Sequence, residues 1–133
     1  MKMTKLAQRI GLCAQLSGAF TLHSGAISDT HFDKYLFESN PLILNSIAEE
    51  MALVPAETEI LAGLGLGGIP MVTALSRVTR LPAAFIRKEA KAYGTCKYAE
   101  GLDLRSGCVR LVEDVVSSGT QSSIKYTNSV PTA

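Results

Sequence analysis

The sequence predicts an α/β fold in which a mostly parallel sheet is flanked by helices. Short apolar segments at 60–63, 82–86 and 109–112 are typical of buried strands. The first is followed by a glycine-rich stretch and then by apolar residues at helical spacing between Met71 and Val78. Strands that alternate with helices along a chain favour parallel pairing, with the helices covering the faces of the sheet.

The N-terminal part is expected to form one helix and two short strands. Thr4 can cap a helix with an apolar stripe, and Gly18 is expected to interrupt that helix. The aromatic-rich segments 20–22 and 32–37 predict the strands, and the residues between them, 23–30, are typical of a turn.

The middle and end of the chain complete the element order. Asn40 followed by Pro41 is typical of a helix start, and an apolar stripe predicts that this helix ends near Pro55. Segment 87–107 is polar and too long for an ordinary connection, which is typical of a functional or disordered loop outside the core. The tail at 122–133 has few apolar residues and no helical stripe, so we expect it to be irregular.

Composition limits the classes of protein to consider. At 133 residues and 47% hydrophobic content we expect a single domain, with 1–40 as an N-terminal region, 41–121 as the core and 122–133 as the tail. Thirteen basic against twelve acidic residues argue against a nucleic-acid or membrane-surface protein. Three cysteines without metal-ligand spacing predict free thiols. The N-terminus has no uninterrupted apolar region, so we expect a cytoplasmic protein.

The segment VRLVEDVVSSGT carries the strongest chemical signal. Glu113 and Asp114 follow an apolar strand, at the edge where parallel α/β sheets bind ligands. Residues 117–120 offer hydroxyls and closely spaced backbone N–H groups to a phosphate. Taken alone, an acid pair at a strand end is most often a solvated turn or a helix cap. The glycines at 63–68 are equally compatible with a tight strand-to-helix turn.

A strand, two adjacent acids and a Ser/Thr/Gly loop resemble the phosphoribosyl-diphosphate motif of the type I phosphoribosyltransferases. Four further segments resemble orotate phosphoribosyltransferases in the same order over residues 20–121: FTLHSGAIS, HFDKYLFE, LAGLGLGGIPMVTALS and FIRKEAKAYGT. The resemblance implies the type I phosphoribosyltransferase fold, with a small N-terminal hood formed by 1–40. In the family, a crossover helix, further strands and an orotate-binding arginine follow the loop. Nothing in 122–133 matches them, so we expect a chain that lacks these C-terminal elements.

The resemblance also implies an activity. It is the Mg²⁺-dependent transfer of a phosphoribosyl group from 5-phosphoribosyl 1-diphosphate to orotate, in pyrimidine synthesis. The enzyme would be a homodimer whose basic loop reaches the neighbouring active site. Asp114, Glu113 and Lys91 would be catalytic, and the two acids would hold the ribose hydroxyls directly or through Mg²⁺. The GLGLGG segment would leave room for the diphosphate.

The residues that the resemblance assigns to phosphoribosyl diphosphate are Arg87, Lys88, Lys91, Glu113, Asp114, Val115, Val116, Ser117, Ser118, Gly119, Thr120 and Gln121. Ser117, Phe32 and His31 would contact orotate, and His23 is a candidate diphosphate contact. By themselves, the three basic residues at 87–91 would be interpreted as a solvated face, and for both histidines a hydrogen-bonded structural role and a ligand contact would be equally open.

Several positions depart from the family pattern. Ser117 and Ser118 stand for a Thr-Thr pair, which keeps the hydroxyls. His23 stands where the family generally carries Lys or Arg, His31 replaces an aromatic residue, and Tyr93 replaces a common histidine. Arg80 lies where a glycine is expected to end a helix. Two other functions stay open: a phosphoribosyl-diphosphate-binding remnant or regulator without turnover, and a transferase for a purine base, since the motif does not choose the base.

Overall fold

The structure is a computed structural model that describes residues 4–95 and 97–115. The chain divides into two compact units, Met1–Ile47 and Ala48–Ala133. The prediction of a single domain stays a prediction, and the predicted tail at 122–133 lies outside the described residues.

The first unit combines helices with a two-stranded hairpin. Its elements are helix α1 (Lys5–Ala14), strand β1 (Gln15–Thr21), strand β2 (Ile27–Phe32), helix α2 (Lys34–Glu38) and the larger part of helix α3 (Pro41–Met51). The predicted cap of α1 is confirmed, because Thr4 Oγ1 accepts a hydrogen bond from the Ala7 N–H at 3.1 Å.

Three expectations for this unit were wrong. Gly18 does not end α1; it lies in β1, where the register with β2 shifts between Ser17 and Phe20, and glycine in a strand often marks such a bulge. The strand predicted at 32–37 is largely α2, because the Asp33 carboxylate accepts the Tyr35 N–H at 3.1 Å and caps that helix. The turn predicted at 23–30 is shorter, since β2 already begins at Ile27.

Helix α3 begins where the sequence predicts. Asn40 Oδ1 accepts hydrogen bonds from the N–H groups of Leu42 at 3.1 Å and Ile43 at 3.2 Å, and Pro41 is the first helical residue. The helix ends at Met51, before the predicted end near Pro55.

In the second unit, the described residues form a four-stranded sheet and one long helix. In chain order the elements are strand β3 (Ile60–Leu64), helix α4 (Gly65–Thr79), strand β4 (Ala83–Ile86), strand β5 (Ala99–Glu100) and strand β6 (Val109–Val112). The spatial order is β5-β4-β3-β6. β3 pairs in parallel with β4 and β6, whereas β5 is antiparallel to β4. The predicted α/β class with a mostly parallel sheet is confirmed.

The core of this unit lies along β3 and β4. Every residue of β3 is buried, as expected for a central parallel strand. The buried cluster comprises Ile60, Ala62, Leu64, Ala84 and Ile86. Ala99 and Leu104 pack against this cluster. The prediction that the polar segment 87–107 lies outside the core was therefore wrong for these two residues. The segment includes β5 and a 3₁₀ turn at Leu104–Ser106.

Helix α4 begins at a glycine, Gly65, and is followed by a non-glycine residue, Arg80, in the left-handed conformation. The glycine-rich stretch is not an extended loop, because β3 ends at Leu64 and α4 begins directly at Gly65. At its other end, Arg80 adopts the left-handed conformation with φ 64°, as expected for a position where glycine is usual. Among the described residues, no helix is long and apolar enough to cross a membrane.

Candidate active site

Three strand ends meet at one edge of the sheet. Because β3, β4 and β6 are parallel, the register that pairs Leu64 with Ile86 and Gly63 with Val112 brings their carboxyl ends side by side. The chain leaves β3 into α4, leaves β4 at Arg87 and leaves β6 at Glu113. β4 and β6 flank β3 on opposite sides, which makes this edge a topological switch point, where open α/β sheets bind ligands.

The predicted acid pair is half-buried at this edge. Asp114 lies against the first turn of α4: a methyl group added to Gly67 would overlap Asp114 Oδ2 and come within 2.6 Å of its Cγ. No acidic residue of the helix itself occupies that turn, and Leu64 offers no side-chain cap. The negative charge of Asp114 is therefore favourably placed at the positive end of the helix dipole. Asp114 Oδ1 also accepts the Val115 N–H at 2.9 Å.

The glycines at 63–68 have different uses, which the sequence could not distinguish. A methyl group on Gly63 would lie 2.5 Å from the Gly68 carbonyl oxygen, and one on Gly68 would lie 3.0 Å from the Val112 carbonyl oxygen. These two glycines thus allow α4 to pack directly on β3 and β6. The space at Gly67 receives the Asp114 carboxylate, so it is not open space for a diphosphate. Gly65, with φ 61°, permits the sharp turn from strand to helix.

The predicted cations lie at the end of β4. Lys88 reaches the start of α4, where its Cε would be 3.8 Å from a methyl group on Gly65. Two charged side chains therefore lie next to the first turn of α4: Asp114 at Gly67 and Lys88 at Gly65. Arg87 and Lys91 point to Glu100 on β5: Arg87 Nε lies 3.2 Å and Lys91 Nζ 2.8 Å from the same oxygen, Oε1.

Sequence reasoning missed Glu100, because its proximity depends on β5 folding back along β4. The register places Glu100 opposite Phe85, next to the start of the basic segment. The hydrogen bond from Lys91, and then that from Arg87, holds the pKa of the Glu100 carboxyl below its ordinary value. Lys91 Nζ also lies 6.0 Å from the centre of the Tyr93 ring, at the outer limit of a cation–π contact.

A cleft of about 590 Å³ opens at this edge of the sheet. Its wall includes Gly65, Leu66, Arg87, Lys88 and Glu100. Glu113 and Asp114 do not line the cleft. Asp114 instead contacts α4 at Gly67, the residue after Leu66. The charged residues of the wall are two cations, Arg87 and Lys88, and two acids, Glu89 and Glu100. The cleft lies at the start of α4 and is large enough for a substrate-sized ligand.

The other residues predicted to contact the substrates lie in the first unit or outside the described residues. His31 and Phe32 are exposed on β2, where the His31 ring lies 5.3 Å from that of Phe20 and the Phe32 ring 6.0 Å from that of Phe37. His23 is exposed in the turn between β1 and β2. The remaining predicted residues, Val116, Ser117, Ser118, Gly119, Thr120 and Gln121, lie outside the described residues. Cys13 and Cys108 are free thiols as expected, and Cys96 is not described.

Glu113 and Asp114 fit Mg²⁺ as two of its ligands but do not form a complete coordination shell. Among residues 4–95 and 97–115 no three His, Cys, Asp or Glu side chains cluster closely enough to hold a metal ion. Mg²⁺ is commonly bound by one or two carboxylates together with substrate phosphates and water. Glu113 and Asp114, side by side at a strand end, fit that arrangement, with the substrate supplying further oxygens.

Comparisons with known proteins agree on one family. No protein-family model matches the chain. The chain is 49% identical over 115 residues to an orotate phosphoribosyltransferase of Nocardioides sp., covering 86% of this chain and 64% of that protein. It is 43% identical over 102 residues to the orotate phosphoribosyltransferase of Methanocella arvoryzae, covering 76% and 58%. The chain thus spans less than two thirds of the length of these relatives.

Solved structures show the same relationship. The crystal structure of Mycobacterium tuberculosis orotate phosphoribosyltransferase in complex with Fe(III) dicitrate superposes with a TM-score of 0.74 at 26% identity, covering 92% of this chain and 73% of that one. Leishmania donovani UMP synthase superposes with a TM-score of 0.72 at 27% identity, covering 97% of this chain and 28% of that one. By sequence and fold the chain is therefore a relative of the orotate phosphoribosyltransferases, with the type I phosphoribosyltransferase fold.

Proposed function

We propose that this protein transfers a phosphoribosyl group from 5-phosphoribosyl 1-diphosphate to orotate, in the synthesis of pyrimidine nucleotides. The reaction forms a bond between an orotate nitrogen and the anomeric carbon, and breaks the bond from that carbon to the diphosphate. The products are orotidine 5′-phosphate and diphosphate. The observation that carries the proposal is the meeting of acidic, basic and glycine-bearing strand ends at one switch point, in a chain related to enzymes of this name.

The acid pair would act on the ribose. Glu113 and Asp114 would accept hydrogen bonds from its hydroxyls, and their charge would stabilise the positive charge that develops as the diphosphate leaves. Asp114 is supported for this role by its position, because Gly67 and the start of α4 restrict where its carboxylate can lie. When bound, Mg²⁺ would supply charge neutralisation of the diphosphate oxygens.

The basic segment would receive the leaving group. Arg87, Lys88 and Lys91 would neutralise the diphosphate, and Lys91 would be catalytic because it stabilises charge that grows as the bond breaks. The placement of Arg87 and Lys88 in the wall of the cleft supports this role. We include residues 117–120 as the binding segment for the 5′-phosphate, with Val115, Val116 and Gln121 as neighbours of that segment.

The orotate site would be formed by residues outside the acid pair and the basic segment. Phe32, His31 and Ser117 would contact orotate, and His23 would contact the diphosphate. The active form would be a homodimer in which the basic loop reaches the active site of the neighbouring subunit, and its location would be the cytoplasm. The half-exposed ring of Phe32, 47% accessible, supports a ligand contact, since it offers an aromatic face to solvent.

An absorbance assay tests the activity. The purified chain, shown to be folded by circular dichroism, is mixed with orotate, 5-phosphoribosyl 1-diphosphate and Mg²⁺, and loss of orotate absorbance is followed. We expect turnover that Asp114→Asn abolishes. Asp103→Asn is the matched control, because it removes the same charge from an exposed turn where Asp103 pairs with Arg105. Absence of turnover from the folded chain would contradict the proposal, as would equal loss in both variants.

A further inference from the structure

Glu100 joins two of the proposed diphosphate-binding cations in the ligand-free structure. Arg87 Nε donates to Glu100 Oε1 at 3.2 Å, and Lys91 Nζ lies 2.8 Å from the same oxygen. The backbone fixes the position of the acid, since β5 pairs with β4 and the Arg87 N–H donates to the Tyr98 carbonyl oxygen at 2.8 Å. One carboxylate therefore restrains both ends of the segment 87–91.

The same carboxylate lies in the wall of the 590 Å³ cleft, together with Arg87, Lys88 and a second acid, Glu89. An anion entering the cleft meets cations whose charge is already partly neutralised. The side chains of Glu100 and Lys91 are 27% and 24% exposed, and that of Arg87 is 43% exposed. Ion pairs this accessible to water are individually weak, and a competing anion can replace them.

We propose that Glu100 is an internal counter-anion that holds Arg87 and Lys91 against β5 until a polyphosphate takes its place. The inference rests on the proposed function, in which that polyphosphate is the diphosphate group of the substrate. A diphosphate carries several negative charges and more acceptor oxygens than one carboxylate, so it competes successfully for the same Nε and Nζ donors. Glu100 is thus a positioning residue that sets how tightly Arg87 and Lys91 bind that diphosphate, whichever subunit of the proposed dimer holds it.

Binding of inorganic diphosphate, measured by isothermal titration calorimetry without Mg²⁺, tests the competition. Glu100→Gln keeps the size of the side chain but removes its charge, so we expect it to bind diphosphate about three- to tenfold more tightly, as loss of two weak competing ion pairs implies. Glu100→Asp restores the charge and should bind within about twofold of the wild-type chain. Asp103→Asn is the control for net charge and should change affinity less than twofold.

Limited trypsin digestion tests the restraint without any ligand. Trypsin must take the Lys91 side chain into its own pocket, so Glu100→Gln should raise the rate of cleavage after Lys91 about fivefold, as followed by mass spectrometry. Asp103→Asn should leave that rate unchanged. A loosened loop alone would speed cleavage but weaken diphosphate binding, so faster cleavage with tighter binding is specific to a counter-anion.

The outcomes separate the two proposals. If the wild-type chain binds diphosphate and Glu100→Gln binds it equally or more weakly, the counter-anion role is overturned while the proposed function stands. If cleavage after Lys91 is unchanged in Glu100→Gln, the restraint is overturned whatever the ligand results show. If no variant binds diphosphate, the proposed function fails at this cleft, and the counter-anion role fails with it.

Discussion

Replacement of Gly67 by alanine should separate ligand binding from stability. The added methyl group would lie 2.6 Å from Asp114 Cγ and 3.0 Å from its Oδ1, and would overlap Oδ2. Carbon atoms in contact lie about 3.5–4.0 Å apart, so the carboxylate must recede by about 1 Å. The crowded atoms form the end of a side chain, so rotation of Asp114 can relieve the clash without movement of the sheet.

The effect on stability is the difference between two small contributions. Alanine is favoured over glycine in a helix by about 1 kcal/mol. Displacing a carboxylate from a helix N-terminus costs about 0.3–1 kcal/mol. We therefore expect the free energy of unfolding to change by less than about 1 kcal/mol. In contrast, a hydrogen bond to a charged group contributes about 1.5–3 kcal/mol, so its loss from a displaced Asp114 should lower the affinity for 5-phosphoribosyl 1-diphosphate with Mg²⁺ by about 10- to 100-fold.

Urea denaturation and calorimetric titration measure the two quantities on the same sample. Gly11→Ala in α1 is the matched control, because a methyl group there meets no atom within 4 Å. It should stabilise the chain by about 0.5–1 kcal/mol and leave affinity unchanged. Wild-type affinity in Gly67→Ala would refute the role of Asp114 in binding. A loss of stability above about 2 kcal/mol would show that the methyl group cannot be accommodated by Asp114 alone.

Three further predictions concern single positions. Gly63→Ala should destabilise the chain by about 1–3 kcal/mol in urea denaturation, because its methyl group would meet backbone and the Val72 side chain, at 2.6 Å, and neither can rotate away cheaply. Arg80→Gly should stabilise by about 0.5–1 kcal/mol, as relief of the left-handed conformation outweighs the entropy of glycine in the unfolded chain; an unchanged midpoint would contradict this. The Arg105 hydrogen bond lowers the pKa of Asp103 from 3.8 to about 2, which carboxyl NMR should detect as a titration near pH 2. The stabilisation that Asp103 contributes should be present above pH 3.8 and lost as the pH falls through about 2, as measured by urea denaturation at each pH. Arg105→Gln should return that pKa towards 3.8.

The errors of sequence reasoning in the first unit have a common cause. Segment 32–37 is rich in aromatic residues, which favours a strand, but the capping bond from the Tyr35 N–H to Asp33 starts a helix. Conversely, Ile27–Phe32 is too polar to be predicted as a strand from its own sequence, and it forms an exposed strand by pairing with β1. An exposed hairpin depends on its partner strand more than on its own composition.

Local chemistry determined by itself the features that involve neighbouring residues: the caps at Thr4 and Asn40, the buried central strand, the left-handed turn at Arg80 and the acid pair at a strand end. The tertiary structure decided which distant groups meet. Asp114 lies against Gly67 because β6 pairs beside β3, and Glu100 restrains Arg87 because β5 folds back on β4. Strand order is set by contacts between segments far apart in the chain, and local patterns carry no record of those contacts.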